Sequence, residues 1–279
     1  MGDIFTILLV QPIINVLVGV YQLLLILHIP SPLGFAIIIL TIIIRLALFP
    51  LMAAQLRSAG KMQRVSPHLS RLREQHKGNP QRLQSETMLL YKEHGINPAA
   101  GCIPLIIQLP VIWGLYSVLQ DVVKQTSVQE INKLLYTDAL KLHTIWDSHF
   151  FGIPLGKTPG ELIGVVGVGI LILPILTGVS QFIQSKMMLP PPSSEPAAKK
   201  KGGTSDFATA FQTQSLYIFP LMIAFFSYSF PAGLSFYWIT FTFFGIIQQY
   251  LMQQENKTVV AIPAVVEKAP KPTGKKRKK

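Results

Sequence analysis

One charged residue, Arg45, interrupts the apolar run Leu33-Gly-Phe-Ala-Ile-Ile-Ile-Leu-Thr-Ile-Ile-Ile-Arg-Leu-Ala-Leu-Phe-Pro-Leu. A run of about 20 apolar residues is long enough to cross a bilayer as a helix, and a guanidinium near its centre costs at least ~2.5–3.5 kcal/mol. About eleven or twelve helical residues on either side amount to roughly 16–18 Å at 1.5 Å per residue, beyond the reach of a snorkelling side chain. Arg45 therefore has to face a bundle interior or a water-filled cavity. Function is expected where it sits.

Composition agrees with a membrane chain: 49% of the 279 residues are hydrophobic and only 14% charged. The formal charge of +12 is informative through its distribution. No Lys or Arg precedes Arg45, eight lie between Arg57 and Lys92, four between Lys186 and Lys201, and eight between Lys257 and Lys279. The stretch Lys124 to Lys157 holds four, offset by Glu130, Asp138 and Asp147. Apolar spans read at about 33–54, 102–122, 161–185, 214–230 and 233–252. Because cytoplasmic loops carry the excess of Lys and Arg, five spans with the N-terminus outside and the C-terminus inside satisfy every cluster together.

The chain divides on this reading into an N-terminal helix (1–30), a first span (31–56), a cytoplasmic helical hairpin (57–100) and a second span (101–123). An external segment (124–160), a third span (161–187) and a cytoplasmic loop (188–212) follow, then the fourth and fifth spans (213–253) and a basic tail (254–279). Gln11, Asn15 and Gln22 share one face of the first helix, which favours a helix lying in the outer interface over a sixth span. No basic leader or small-residue cleavage site marks a signal peptide. In the hairpin, Ser66-Pro67 and Asn79-Pro80 read as helix starts, and Gly78 and Gly95 as stops. Met62, Val65, Leu69 and Leu72 form an apolar stripe facing Leu83, Leu90 and Tyr91. Pro190-Pro191-Pro192 and Lys199-Lys200-Lys201-Gly202-Gly203 mark an unstructured loop, and the tail reads as a flexible basic arm.

Enzyme chemistry has little to stand on. The single cysteine, Cys102, excludes internal disulfides and cysteine-based metal sites. His143, Asp147 and His149 do not share a helical face, and no nucleophile triad, glycine-rich phosphate loop or intramembrane carboxylate pair appears. The polar residues inside the spans are more informative: Thr41 with Arg45, Gln108, Ser180, Gln181 and Gln184, Ser227 and Ser229, and Thr240, Gln248 and Gln249. Any one of them is ordinarily interhelical glue. Arg45, Gln181, Gln184, Gln248 and Gln249 all fall in the cytoplasmic halves of their helices, which together points to a hydrophilic groove open to the cytoplasm and closed outside. Tyr237 and Trp238 offer either an aromatic wall for an apolar helix leaving sideways or ordinary packing.

The segments Thr41-Ile-Ile-Ile-Arg45-Leu-Ala-Leu-Phe-Pro50, Asn97-Pro98-Ala-Ala-Gly101-Cys102-Ile-Pro104-Leu-Ile-Ile-Gln108-Leu-Pro110, Pro231-Ala-Gly233-Leu-Ser-Phe-Tyr237-Trp238 and Gln248-Gln249 resemble the YidC/Oxa/Alb membrane-protein insertases, in order, from about residue 10 to 253. The resemblance implies an all-α integral membrane protein: a five-helix transmembrane bundle enclosing a cytoplasm-open hydrophilic groove with one Arg, an N-terminal interfacial helix and a cytoplasmic helical hairpin. It implies an insertase and chaperone, not an enzyme, without metal or cofactor, in a bacterial plasma (inner) membrane. The chain is expected to resemble the shorter forms of the family, without the large external domain of some bacterial members, and Trp238 stands where Tyr is common.

The expected groove residues are Arg45, Thr41, Gln108, Gln181, Gln184, Tyr237, Trp238 and Gln248. The expected partner contacts are Arg71, Arg73, Lys77, Arg82, Lys275, Lys276, Arg277, Lys278 and Lys279. Nascent membrane proteins, the ribosome, a Sec translocon, the signal-recognition-particle receptor and anionic lipids are the expected partners. A small-solute transporter or channel is the alternative, weakened by the absence of inverted repeats and intramembrane acids.

Overall fold

A computed structural model describes residues 4, 6–76, 78–97, 103–123, 128–144, 146–188 and 204–259. Cys102, Lys77, the proline-rich stretch at 190–192 and the terminal basic cluster at 275–279 lie outside them. The described chain is almost wholly helical. A π-helical turn (Thr6–Val10) runs into α1 (Gln11–Ile26). Next come α2 (Pro32–Ala47), α3 (Phe49–Gln75), α4 (Pro80–Glu93) and α5 (Ile103–Val123). Two helices, Thr6–Ile26 and Val168–Met188, are long and apolar enough to cross a membrane among the described residues, and α2 with the start of α3 makes a third if the bent pair crosses as one.

The first apolar run is not one straight helix. It bends by 62° between α2 and α3. Pro50 is the cause: it has no N–H to donate to Leu46, and its ring would clash with that carbonyl, so the chain restarts with Pro50 in the first turn of α3. Arg45 therefore stands in the last turn of α2, beside a bend, and not at the centre of an unbroken span. A second break falls at Gly167, whose φ of 88° is open to glycine. It separates α7 (Pro159–Val166), started by a Thr158–Glu161 capping box, from α8 (Ile172–Met188). Two long helices complete the described residues, α9 (Thr204–Ser229) and α10 (Ala232–Val259).

The helical pair α3–α4 differs from expectation at one end. Ser66-Pro67 starts nothing; α3 runs through Pro67 without interruption. One missing backbone bond is tolerated because Val65, buried on the apolar stripe, stays in register with the residues on either side. At the other end Asn79 accepts from the Arg82 N–H at 3.1 Å, a side-chain N-cap for α4. Gly95 turns with φ 58°.

The core lies where α1, α2, α5 and α10 meet, around Leu17, Val18, Leu33, Ile37, Leu115, Leu119 and Leu234. The polar face of α1 is turned to protein, not to water. Asn15 donates to the Leu134 carbonyl at 2.9 Å and accepts from the Tyr136 N–H at 2.7 Å, and Gln22 donates to the Leu140 carbonyl at 2.8 Å. The segment that takes these bonds holds the short α6 (Val128–Lys133) and a two-stranded hairpin, β1 (His149–Phe150) with β2 (Ile153–Pro154). Beyond the hairpin, Leu155 and Lys157 carbonyls accept from the Gly233 and Ala232 N–H groups, which caps the start of α10. Phe150 packs edge-on against Phe35 and Phe236 and lies over Gly34.

A Cβ on Gly34 would come within 1.9 Å of the Phe150 ring. Gly34→Ala is accordingly expected to destabilise the protein by about 1–3 kcal/mol, the usual cost of overpacking, read as a lowered unfolding midpoint in detergent; an unchanged midpoint would mean the ring is free to move aside.

Candidate functional site

Arg45 is 3% exposed and has no carboxylate within ion-pair distance among the described residues. Neutral groups hold it instead. One terminal nitrogen donates to the backbone carbonyl of Phe241, the other approaches the Gln248 Oε1 at 3.4 Å, and the guanidinium carbon sits 3.4 Å from the centroid of the Phe241 ring. A desolvated cation over an aromatic face is worth about 2 kcal/mol or more. A hydrogen bond to a charged group adds about 1.5–3 kcal/mol. These contacts offset desolvation without neutralising the charge. All come from α10, at Phe241 and two turns on at Gln248, so one stripe of that helix carries the whole seat.

The seat opens on a cavity of about 400 Å³. Arg45 of α2, Met52, Gln55 and Leu56 of α3, and Gln108, Leu109 and Ile112 of α5 line one side. Gln181, Gln184 and Met188 of α8 line another, with Trp238, Phe241, Gly245, Gln248 and Gln249 of α10. Phe219, Met222, Ile223 and Phe226 of α9, with Phe230 after it, make an apolar wall. The lining is thus amphipathic: a polar cluster centred on Arg45 faces a broad apolar surface. Among the described residues, Arg45 Nε, Gln248 Nε2, Gln249 Oε1 and Thr242 Oγ1 are buried polar atoms without a hydrogen-bond partner. Buried groups of this kind normally are paired, and each left unmade costs about 1–3 kcal/mol.

Six of the eight expected groove residues meet at this cavity: Arg45, Gln108, Gln181, Gln184, Trp238 and Gln248. The other two do not line it. Thr41 is buried and returns its hydroxyl to the Ile37 carbonyl at 2.7 Å, within its own helix. Tyr237 is also fully buried, and its hydroxyl accepts from the Gln108 amide. It supports the lining from behind. Trp238 stacks parallel to Phe230, with ring centroids 6.4 Å apart. The expected partner residues are elsewhere: Arg71 and Arg82 are exposed on α3 and α4, the backbone of Arg73 belongs to α3, and Lys77 and the residues at 275–279 lie outside the described chain. His149 bonds Asp147 at 3.0 Å, and no group of three metal-binding side chains occurs among the described residues. The sequence reading missed the α9 wall, Phe241 and Gly245. Phe241 and Gly245 carried one signal, the 4–3 spacing that runs through them to Gln248 on α10, whereas the apolar α9 wall carried none.

Comparison with known proteins places the chain in a family. A family model described as "60Kd inner membrane protein" matches residues 25–259. This chain belongs to the 60Kd inner membrane protein family. It is similar to the membrane protein insertase MisCA of Bacillus subtilis, 33% identical over 224 residues that cover 79% of this chain and 70% of that one. It is 30% identical to the membrane protein insertase YidC of Fusobacterium nucleatum over 80% of this chain and 87% of the relative. The inner membrane protein ALBINO3 of Arabidopsis thaliana chloroplasts is 33% identical over 81% of this chain but only 48% of its own length. Family members of this kind are not enzymes, and the sequence resemblance to them stands.

The Gln108–Tyr237 contact is the test of how the lining is supported. Tyr237→Phe removes the hydroxyl that accepts from a buried amide, and is expected to cost about 1–3 kcal/mol of stability, measured by denaturant unfolding in detergent micelles.

Proposed function

We propose that this chain is a membrane protein insertase that receives the polar flank of a nascent membrane protein in the cavity around Arg45. The observation that carries the reading is a buried cation with no carboxylate partner among the described residues, set at the polar end of a cavity with a broad apolar wall. The names of the relatives support the same function. In this reading five spans surround the cavity, with the N-terminus outside and the C-terminus in the cytoplasm of a bacterial cell. The N-terminal helix lies in the outer interface. The α3–α4 pair is cytoplasmic.

The physics follows from the cost of moving polar groups through hydrocarbon. An unpaired peptide group or side chain in an apolar medium costs several kcal/mol. A flank that enters the cavity meets the polar cluster of Arg45, Gln248 and Gln249, whose unpaired Arg45 Nε, Gln248 Nε2 and Gln249 Oε1 offer both donors and acceptors. The hydrocarbon distance left to cross is then shorter. The apolar part of the substrate lies along the α9 wall and leaves between helices into lipid, where its transfer is favourable by about 0.8 kcal/mol per CH₂ group. Net release outward is drawn by that partition, and for charged flanks by the membrane potential, about 2.3 kcal/mol per charge per 100 mV. No nucleotide is consumed. The basic groups Arg71, Arg73, Lys77 and Arg82, with the tail at Lys275, Lys276, Arg277, Lys278 and Lys279, recruit the ribosome and anionic lipid through phosphate contacts, and this step weakens as salt rises. A Sec translocon and the signal-recognition-particle receptor are proposed partners at the same cytoplasmic face.

The test is insertion of a short, acidic-tailed, single-span substrate into proteoliposomes. Arg45→Ala is expected to lower insertion severely with the fold retained, and Arg45→Lys to keep part of it, because Lys preserves the charge but not the guanidinium contacts. Parental activity in both variants would overturn the role given to Arg45.

A further inference from the structure

We propose that Gly245 is a positioning residue for Arg45: the missing side chain is what lets the guanidinium reach the backbone of α10. In a helix each Cβ leans toward the N-terminus, so the side chain at position 245 would overlie the carbonyl at position 241, one turn earlier. That carbonyl is the one to which Arg45 donates. A Cβ built on Gly245 would lie 2.6 Å from the Arg45 Nη2 and 3.3 Å from its Cζ, and 2.3 Å from the Gln184 Nε2. The Cβ and the guanidinium therefore compete for the same space. Glycine here is not a turn or a break, since α10 runs unbroken from Ala232 to Val259 and Gly245 has no left-handed φ. In the interior of a helix glycine is destabilising relative to alanine. The close approach of Arg45 and Gln184 gives that cost a reason.

The atoms a Cβ would meet are the far ends of two flexible side chains, not backbone. An added methyl is accommodated by swinging Arg45 and Gln184 away, with the helix packing unchanged. The guanidinium then loses the Phe241 carbonyl and its place over the Phe241 ring together. Gly245 thus sets where the positive charge stands in the cavity, and its effect on insertion rests on the reading of Arg45 given above.

A fluorine label separates the two questions. With 4-fluorophenylalanine at position 241, the ring reports the cation 3.4 Å above it. Gly245→Ala is expected to move the fluorine resonance in the same direction as Arg45→Ala does, while the unfolding midpoint holds. A resonance that stays put, or a Gly245→Ala protein that no longer folds, overturns the positioning role. In the insertion assay, unlabelled Gly245→Ala is expected to lose activity, by no more than Arg45→Ala loses. The double variant is expected to be no worse than Arg45→Ala alone. Losses that multiply in the double variant would mean Gly245 acts independently of Arg45 and would overturn the inference. If Arg45→Ala inserts as well as the parent, the insertase role of Arg45 fails, while the resonance still decides the seat.

Discussion

A guanidinium buried among helices, with no carboxylate beside it among the described residues, is the constraint that organises this protein. Forming an ion pair would have quenched the charge, and removing one partner of such a pair leaves a charge that costs several kcal/mol. Here the charge is kept and its desolvation is offset by neutral groups: a backbone carbonyl, an amide oxygen and an aromatic face, all from α10. Three features follow from that choice. Helix α10 must pass close to the end of α2, its sequence must place Phe241, Gly245 and Gln248 on one stripe, and α8 must bring Gln184 to the same spot.

The cavity is two surfaces with different chemistry. Its polar end has donors and acceptors with unmet bonding capacity; its α9 wall is phenylalanine, methionine and isoleucine. A wholly hydrophilic groove would hold a polar flank but offer nothing to the apolar segment beside it. A wholly apolar one would do the reverse. Methionine and aromatic walls accept varied apolar shapes because neither depends on one fixed partner geometry. On the opposite side the Phe150 ring over Gly34 and the backbone bonds from 155 and 157 to α10 tie the 128–157 segment to the helix ends, so the polar seat and the tightly packed region lie on different parts of α10.

The polar half of the site was legible in the sequence because a charge or a glutamine in an apolar run has no cheap alternative to converging with others of its kind. Arg45, Gln181, Gln184 and Gln248 could be read that way. Phe226 and Met222 could not, since an apolar residue facing a cavity and one facing lipid look alike; Phe225 and Phe226 are neighbours with opposite fates, one exposed and one on the lining. Thr41 read as a groove residue, but a buried threonine can satisfy its hydroxyl within its own helix, and it does. The helix starts divided similarly. Asn79-Pro80 caps α4, whereas the equally suggestive Ser66-Pro67 is overridden by an apolar stripe that runs past it. Pro50 is plain in the sequence, but the size of its bend is not, and the bend moves Arg45 from mid-span to a helix end.

The central claim is that the polar flank and the apolar segment of a substrate occupy this cavity together, and site-directed photo-crosslinking tests it most directly. A photoreactive residue placed at Phe226, on the cavity wall, is expected to trap a ribosome-bound nascent chain, whereas the same group at Phe225, exposed and outside the cavity lining, is expected to trap far less. Equal yields from the two positions, or adducts at position 225 alone, would contradict the account, because the substrate would then be passing along the outside of the bundle.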